Sequence, residues 1–304
     1  MKWLVLLLLL GSFIEVVAQM PSPEIVEPAQ PALVPGLNLG FLNLRQNAET
    51  GTLEPVVRAA EPDMLVLYTT QTYYHINNVF LTAANPQQAN VWVGAVGLSF
   101  VPYSTYRWTP RLTLEGSLVR FDTVSRVNYN MQTVAFDNRL GLTDDNLLSW
   151  NFSASALRSE SEQANPGEFY KRVEVVNNLN WFIPLDHNGR WFWHISPGLA
   201  WRSAEPSFEN RLDAGGVLGL VWLPIPKLGL EPFFEGGYAY FPNDAPTLVD
   251  RRDVHLRGGA SLFWNVSKHG AFTVSAFWLG NYSSASGANY QLLPSVTLNA
   301  RIGF

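Results

Sequence analysis

The side chains with the clearest chemical potential are charged residues placed at alternate positions within otherwise apolar segments. They comprise five arginines and five carboxylates, so their charges balance. On one face of an extended chain they could line a polar channel whose mixed-charge constriction selects solutes. They could equally form ion pairs that fill a narrow interior, because a charge removed from water needs a partner. The set is Arg111, Glu115, Arg172, Glu174, Arg202, Asp213, Glu231, Glu235, Arg257 and Arg301.

Histidines and serines offer a second kind of chemistry. His194 and His255 lie on the charged face of their segments, but their separation matches no metal-ligand spacing, so no metal site is expected. Ser196 or Ser261 beside one of these histidines could form a hydrolytic pair across neighbouring strands. The sequence contains no G-x-S-x-G elbow and no phosphate-binding glycine loop. We therefore expect neither an enzyme nor a cofactor.

The composition indicates a surface that does not face water. Charged residues make up 15% of the 304 residues, against roughly 25% in soluble domains. Aromatic residues reach 13% and include 11 Trp, whereas cysteine is absent. The net charge of −5 is mild and gives no indication of a nucleic-acid partner.

The N-terminus is typical of an exported protein. Residues 1–18 combine the basic Lys2, the apolar run Trp3–Leu10 and the small residues that precede a cleavage site after Ala18. The apolar run is too short to span about 30 Å of hydrocarbon. The sequence therefore predicts a signal peptide rather than a membrane anchor.

A proline-rich segment follows the predicted signal peptide. Residues 20–35 hold five prolines, which favour an extended chain because proline lacks an amide donor. We interpret residues 19–63 as a periplasmic arm or plug with a possible periplasmic partner. Within it, residues 36–63 are compatible with a plug, an arm or an extra strand.

From Met64 onward, the chain shows a period of two that is typical of half-buried strands. The last ten residues are the clearest case, with apolar Val296, Leu298, Ala300, Ile302 and Phe304 alternating with small or polar residues. About twelve such segments recur, near 64–77, 90–101, 110–121, 128–141, 147–158, 170–183, 190–203, 211–223, 228–241, 253–266, 270–283 and 290–304. The fourth is the least regular and could instead be a bulged strand or an extracellular excursion. Residues 64–304 thus predict an all-β fold, a closed antiparallel transmembrane β-barrel of about 12 strands.

The breaks between segments support a membrane barrel rather than a soluble sandwich. Ser159–Phe169, Ser203–Asn210 and Pro242–Arg252 are longer and more charged than Pro184–Gly189 and Ser267–Gly270. Membrane barrels place short turns on one side and longer loops on the other. Aromatic residues gather beside the short turns, as expected for a belt at one membrane interface.

The C-terminal segment resembles the last strand of bacterial outer-membrane β-barrel proteins. Those proteins typically end in an aromatic residue preceded by alternating apolar residues, as in the sequence from Asn299 to Phe304. The resemblance implies an outer-membrane location, contact with lipid and lipopolysaccharide, and recognition by the barrel assembly machinery. It assigns that assembly signal to Leu298, Ala300, Ile302 and Phe304.

A second resemblance concerns the first strands of the barrel. The sequence from His75 to Leu81, with the segments 91–102 and 110–121, is similar to barrels associated with surface polysaccharide systems. Three functions follow from the whole sequence. A porin-like channel for small polar solutes is favoured; the alternatives are a structural or assembly component, linked to surface polysaccharide export, and an enzyme at the barrel rim.

The spacing of two predicted lumen charges predicts how two neighbouring strands pair. Arg202 and Asp213 flank the break 203–211 almost symmetrically, so we expect them to face each other across a hairpin, both pointing inward.

Overall fold

Twelve antiparallel strands form one closed barrel in this computed structural model of the chain. The structure describes residues 43–46, 53–56, 63–79, 86–105, 107–144, 146–162, 167–205, 207–225, 227–244, 249–267, 269–285 and 289–304. Two short strands, β1 (Asn43–Gln46) and β2 (Leu53–Val56), pair in a separate two-stranded sheet. The barrel strands are β3 (Leu65–Ile76), β4 (Ala89–Phe100), β5 (Trp108–Phe121), β6 (Tyr129–Gly141), β7 (Leu148–Ser161), β8 (Glu168–Pro184), β9 (Trp191–Glu205), β10 (Arg211–Ile225), β11 (Leu228–Asp244), β12 (Val249–Asn265), β13 (Gly270–Ser283) and β14 (Tyr290–Gly303).

The sheet closes because the last strand pairs with the first strand of the barrel. β14 runs antiparallel to β3 from Gly303 opposite Val66 to Leu292 opposite Ile76. The amide of the C-terminal Phe304 also donates to the carbonyl of Leu65 at 2.8 Å. Closure matters in lipid, where an unpaired strand edge leaves backbone groups without hydrogen-bond partners. All twelve segments predicted from the sequence are present, including the fourth, which is β6.

Side chains alternate between the outside of the barrel and its interior. Leu262 on β12 is 43% exposed, whereas its neighbour Ser261 is 6% exposed. The same alternation on β9 leaves Leu199 exposed and buries His194. The outer wall is therefore apolar over the height of the barrel, as a lipid-facing surface must be.

Aromatic residues form two girdles on the outer wall, not one. The girdle near the chain termini includes Phe100, Trp108, Trp181, Trp191, Trp222, Trp264, Phe272 and Phe304. Within it, Trp191 and Trp222 stack with ring centroids 5.5 Å apart. A second girdle near the opposite end comprises Tyr73, Trp92, Trp201, Tyr238, Trp278 and Tyr282. The prediction of a belt at one end was incomplete, because the residues of the second girdle are separated widely in sequence.

The contrast in loop length is weaker than the sequence indicated. The break predicted at Ser159–Phe169 is shortened at both ends, since β7 runs to Ser161 and β8 begins at Glu168. Likewise, β11 reaches Asp244 and β12 begins at Val249 within the break predicted at Pro242–Arg252. Charged residues in these breaks extend the strands beyond the apolar band, so the predicted long loops were wrong in extent.

Two apolar clusters lie inside the barrel. The larger one, called here the outer apolar cluster, lies at the end opposite the chain termini; the inner apolar cluster lies near the termini. The outer cluster comprises Tyr74, Ile76, Val79, Ala89, Val91, Val119, Phe121, Val127, Tyr129, Met131, Leu157, Tyr170, Ala204, Leu279 and Leu292, with Val93, Val124 and Tyr290 packed against it. The inner cluster comprises Phe192, Val221, Leu223 and Phe263, with Leu147 and Phe182 packed against it.

The predicted signal peptide, residues 1–18, lies outside the described residues, as does most of the predicted arm or plug at 19–63. Both stay predictions. Among the residues that the structure describes, no helix has the length and apolar character needed to span a membrane.

Candidate functional site: the charged interior of the barrel

All ten charged residues predicted for the lumen lie on the inward-facing positions of their strands. Arg172, Arg202, Glu231 and Arg257 are almost inaccessible to solvent. Glu174, Asp213 and Glu235 are engaged by arginines and are largely buried. Arg111, Glu115 and Arg301 are half-buried nearer the termini. The orientation predicted from alternation is correct, while the functional role of these residues stays a prediction.

Glu174 on β8 is the centre of a charge cluster toward the outer end. Its carboxylate lies 2.8 Å from Nη2 of Arg202 on β9 and 3.5 Å from Nη2 of Arg172. One carboxylate thus serves two arginines, which keeps both guanidinium groups compensated while they are buried.

The predicted pairing of Arg202 with Asp213 is wrong, although both residues point inward. Arg211, not Asp213, is opposite Arg202 between β9 and β10. Asp213 instead accepts a hydrogen bond from Nε of Arg211 at 2.9 Å, whereas the carboxylate nearest Arg202 is Glu174. β9 continues to Glu205 whereas β10 begins at Arg211, and the register differs by two residues from the expected hairpin while the face stays the same.

Arg257 on β12 is the largest fully buried side chain among the described residues. Its Nη2 lies 3.1 Å from Oε2 of Glu235 on β11. Its guanidinium is also 5.1 Å from the ring of Phe233 and 4.9 Å from the ring of Phe277. The cation is therefore held by a carboxylate and by two aromatic rings on both neighbouring strands.

His194 on β9 and Glu231 on β11 meet across the strand that separates them. Nδ1 of His194 is 2.8 Å from the Glu231 carboxylate, and Nε2 is 3.2 Å from Oδ1 of Asn180. The intervening residue on β10 is Gly219, and a Cβ there would overlap the Glu231 carboxylate. Glycine at this position therefore allows a side chain to reach across a strand. The imidazole also stacks on Phe182 with centroids 4.6 Å apart.

A second contact across a glycine lies on the other side of the barrel. The hydroxyl of Tyr68 on β3 donates to Glu115 on β5 at 2.8 Å. The ring of Tyr68 covers Gly97 of the intervening β4, where a Cβ would overlap it. Sequence reasoning missed Tyr68 as a partner because tyrosine alone does not indicate an inward-facing charge site.

The middle of the interior is lined by small polar side chains that keep partial contact with solvent. Several form cross-strand hydrogen bonds, such as Thr72 with Thr297 at 3.0 Å and Asn299 with Thr70 at 2.8 Å. The half-buried, inward-facing members are Thr70, Thr113, Thr133, Ser153, Ser155, Asn178, Thr273, Ser275, Thr297 and Asn299. This lining places hydrogen-bonding groups between the two apolar clusters.

The two serine–histidine combinations considered for hydrolysis have other partners. The hydroxyl of Ser196 accepts a hydrogen bond from Asn178 at 3.3 Å. Ser261 pairs with Ser275 at 2.8 Å. His194 is engaged by Glu231 and Asn180, so its ring nitrogens face a carboxylate and an amide, not a serine.

Further inward-facing charges were not predicted from the sequence. Arg211 and Asp213 pair at 2.9 Å, and Arg251 lies 3.3 Å from Asp253. Asp137 on β6 stands opposite Arg111 on β5. Arg211 and Asp253 are the first residues of the predicted segments 211–223 and 253–266, so applying the alternation up to these ends would have found them, and an extension by two residues would have found Arg251.

The four residues assigned to the assembly signal lie on the outer face of β14. Leu298, Ile302 and Phe304 are 44%, 48% and 66% exposed, and Ala300 is half-buried between them. The terminal strand thus presents a continuous apolar face toward lipid. Its recognition by assembly machinery stays a prediction.

Comparison with known proteins identifies the architecture. No protein-family model matches the sequence, and no curated protein matches it. Among solved structures, the chain is similar to an outer membrane channel from Pseudomonas putida F1, with a TM-score of 0.56 and 10% identity over 80% of this chain and 96% of that one. It is also similar to the beta domain of the Bordetella autotransporter BrkA, with a TM-score of 0.52 and 10% identity over 80% of this chain and 100% of that one. The chain has the fold of a Gram-negative outer-membrane β-barrel.

An outer-membrane β-barrel of twelve strands accounts for the observations above. The apolar wall, the two aromatic girdles and the closed ladder all suit a bilayer. The predicted fold class, an all-β closed antiparallel barrel of about twelve strands, is confirmed. At this level of identity the similarity concerns the fold, and the activity must be argued from the interior.

Proposed function

We propose that this outer-membrane β-barrel is a channel for small polar solutes. The observation that supports it best is the middle of the lumen, where half-buried hydroxyl and amide side chains line the wall. Such groups exchange hydrogen bonds with water or a polar solute at little cost, whereas a dry protein core would bury apolar residues there. The similarity to a protein described as an outer membrane channel agrees with this proposal.

The charges of the wall define what kind of channel this would be. Arginines and carboxylates are paired, as in Arg202 with Glu174 and Arg257 with Glu235. A paired wall presents dipoles rather than a field of one sign, so it attracts neither anions nor cations strongly. We therefore expect weak ion selectivity and passage of small neutral or zwitterionic solutes.

Planar-bilayer recording of the purified, refolded protein tests the proposal. We expect discrete conductance steps in KCl and a reversal potential close to zero in a salt gradient. Replacing Glu235 by Gln removes the carboxylate nearest Arg257 and should shift the reversal potential toward anion selectivity. The matched control is Glu162→Gln, which removes the same charge from the Arg120 pair at the outer rim. Absence of steps from a folded barrel, in the wild type and in variants with a widened lumen, would refute the channel.

The other functions predicted from the sequence have no specific observation in their favour. A structural or assembly role in surface polysaccharide export, and an enzyme at the rim, stay predictions.

A further inference from the structure

The lumen has an apolar layer at its outer end. The inward-facing residues of the outer apolar cluster come from β3 to β9 and from β13 and β14, and all are at most 8% exposed. Val91 and Val119 are completely inaccessible. Outer-membrane barrels need an apolar exterior, but nothing in lipid contact requires apolar residues on the inner face. This layer is therefore a feature of the lumen itself.

Residues just outside the strands complete the layer at the outer end. Val79 follows β3, and Val124 and Val127 lie in the segment 122–128 between β5 and β6; all three pack in the cluster. Backbone hydrogen bonds shape these segments, from Val79 to Gln87 at 2.8 Å and from Val127 to Val124 at 3.0 Å.

The segment 122–128 is tied to the start of β4 and to the residue that precedes this strand. The side chain and the amide of Asn90 donate to the carboxylate of Asp122 at 2.6 and 2.9 Å. The Thr123 hydroxyl donates to the carbonyl of Gln88 at 2.9 Å. The hydrogen bonds from the Asn90 side chain and amide also lower the pKa of Asp122, so its charged form is favoured. These hydrogen bonds hold the segment 122–128 against the outer end of β4.

Three strands, β10 to β12, contribute no residue to the outer apolar cluster, and other side chains occupy the interior at their outer ends. Near the outer ends of β10 to β12, the guanidinium of Arg251 lies 3.6 Å from the ring centroid of Phe241. Arg211 lies 5.6 Å from the same ring. Phe241 is 1% exposed and Asp253 is 4% exposed. A cation–aromatic stack thus occupies the part of the circumference that the apolar layer leaves open.

We propose that the outer apolar cluster is a gate that closes the extracellular end of the lumen until the segment 122–128 between β5 and β6 is displaced. The proposal rests on the proposed channel function and adds its regulation. A narrow apolar layer excludes water and ions, because a hydrated solute must shed hydrogen bonds that the wall does not replace. The polar middle of the lumen would then be reached from outside only when the segment carrying Val124 and Val127 moves away.

Hydrating the layer without changing its shape tests the gate. Val119→Thr keeps the volume and adds a hydroxyl, and combining it with Met131→Gln adds an amide on the neighbouring strand. We expect these variants to raise the time-averaged conductance about ten-fold, the change given by a barrier lowered by about 1.4 kcal/mol. The matched control is Val217→Thr, the same substitution on a half-buried, inward-facing position of β10 outside the cluster. If the wild type conducts, an unchanged conductance in the folded gate variants would overturn the proposal.

Accessibility to a thiol reagent tests the gate without relying on conduction. The chain contains no cysteine, so single cysteines carry no background. Ser153→Cys places a thiol on an inward-facing, half-buried position of β7 below Leu157 of the cluster. Ser207→Cys marks the outer connection between β9 and β10, and His187→Cys marks the turn at the opposite end; both positions are exposed.

The reagent is a membrane-impermeant fluorescent maleimide added to intact cells. We expect rapid labelling at residue 207, none at residue 187, and labelling at residue 153 that is about ten-fold slower than at 207 and becomes fast when Val119→Thr is added. Equally fast labelling at 153 and 207 in the wild-type background would overturn the gate. A gate supported by labelling, together with folded variants that never conduct, would refute the channel and leave the gate standing. Val119→Thr alone serves where the double variant fails to fold, as judged by heat-dependent mobility on a denaturing gel.

Discussion

Replacing Arg257 by Gln provides the strictest test of the buried ion pair between Arg257 and Glu235. The substitution keeps a polar side chain of similar length and removes the positive charge. It leaves Glu235 without the guanidinium that lies 3.1 Å away. It also removes the cation that faces the rings of Phe233 and Phe277.

The size of the effect follows from burial. Arg257 is 1% exposed, so water cannot replace the lost partner of Glu235. Breaking a buried ion pair by removing one member costs about 3–5 kcal/mol, because an uncompensated charge stays behind. Loss of the contacts with two aromatic rings adds to this by about 0.5–2 kcal/mol. We therefore expect the free energy of unfolding to fall by about 3–5 kcal/mol or more.

The measurement is equilibrium unfolding by guanidinium chloride in lipid vesicles, followed by tryptophan fluorescence. The matched control is Glu162→Gln, which breaks the rim pair with Arg120, where both side chains are about one-third exposed. Exposed pairs contribute about 0–1 kcal/mol, so this variant should unfold close to the wild type.

A double variant separates the ion pair from the packing. Arg257→Met with Glu235→Gln removes both charges and keeps most of the volume. Replacing a buried pair by neutral groups is often close to neutral in stability, so the double variant should recover most of the loss. If Arg257→Gln and Glu162→Gln unfold at the same denaturant concentration, the lumen around Arg257 is hydrated, and the buried pair described above is wrong.

Further predictions concern Gly219, which lies between His194 and Glu231, and the end of the chain. Gly219→Ala should displace the Glu231 carboxylate from His194 and lower the free energy of unfolding by about 1–3 kcal/mol. The control is Gly116→Ala, where an added Cβ meets nothing within 4 Å and the free energy of unfolding should stay unchanged or rise by up to about 1 kcal/mol. Denaturant unfolding measures both variants, and equal effects would contradict the role given to Gly219. Removing Phe304 should prevent assembly, seen as loss of folded protein from outer-membrane fractions, because closure of the sheet and the predicted assembly signal both depend on it. Leu262→Glu, a lipid-facing change in mid-strand, should cost about 2–4 kcal/mol or less without blocking targeting; equal insertion of both variants would leave the C-terminal signal without support.

The strands and their faces could be predicted from the sequence because a membrane barrel is governed by one local rule. Lipid on one side and a polar interior on the other impose a period of two on each strand, as in the alternation from Val296 to Phe304. That rule depends only on neighbouring residues and needs no knowledge of the partner strand. The strand ends were less predictable, since charged residues such as Glu168 can extend a strand above the membrane or begin a loop.

The outer apolar cluster escaped prediction because it breaks this rule. At the outer end of β4, Val91 and Val93 point inward while Trp92 between them points outward, so that three successive residues are apolar. A continuous apolar run of this kind indicates burial on both faces. Similar runs at the outer ends of several strands would have indicated an apolar layer across the lumen.

The charge partners could not be predicted because they depend on strand register and on how far a side chain extends. The alternation of apolar and polar residues specifies neither. A shift of two residues keeps every side chain on its face, and this is the difference that places Arg211, not Asp213, opposite Arg202. Contacts that cross a whole strand require a glycine in between, as Gly219 allows for His194 and Glu231. An inward-facing glycine with long polar residues on the two flanking strands is therefore the signal to seek in such sequences. It predicts that the partner lies two strands away, where a search restricted to adjacent strands does not look.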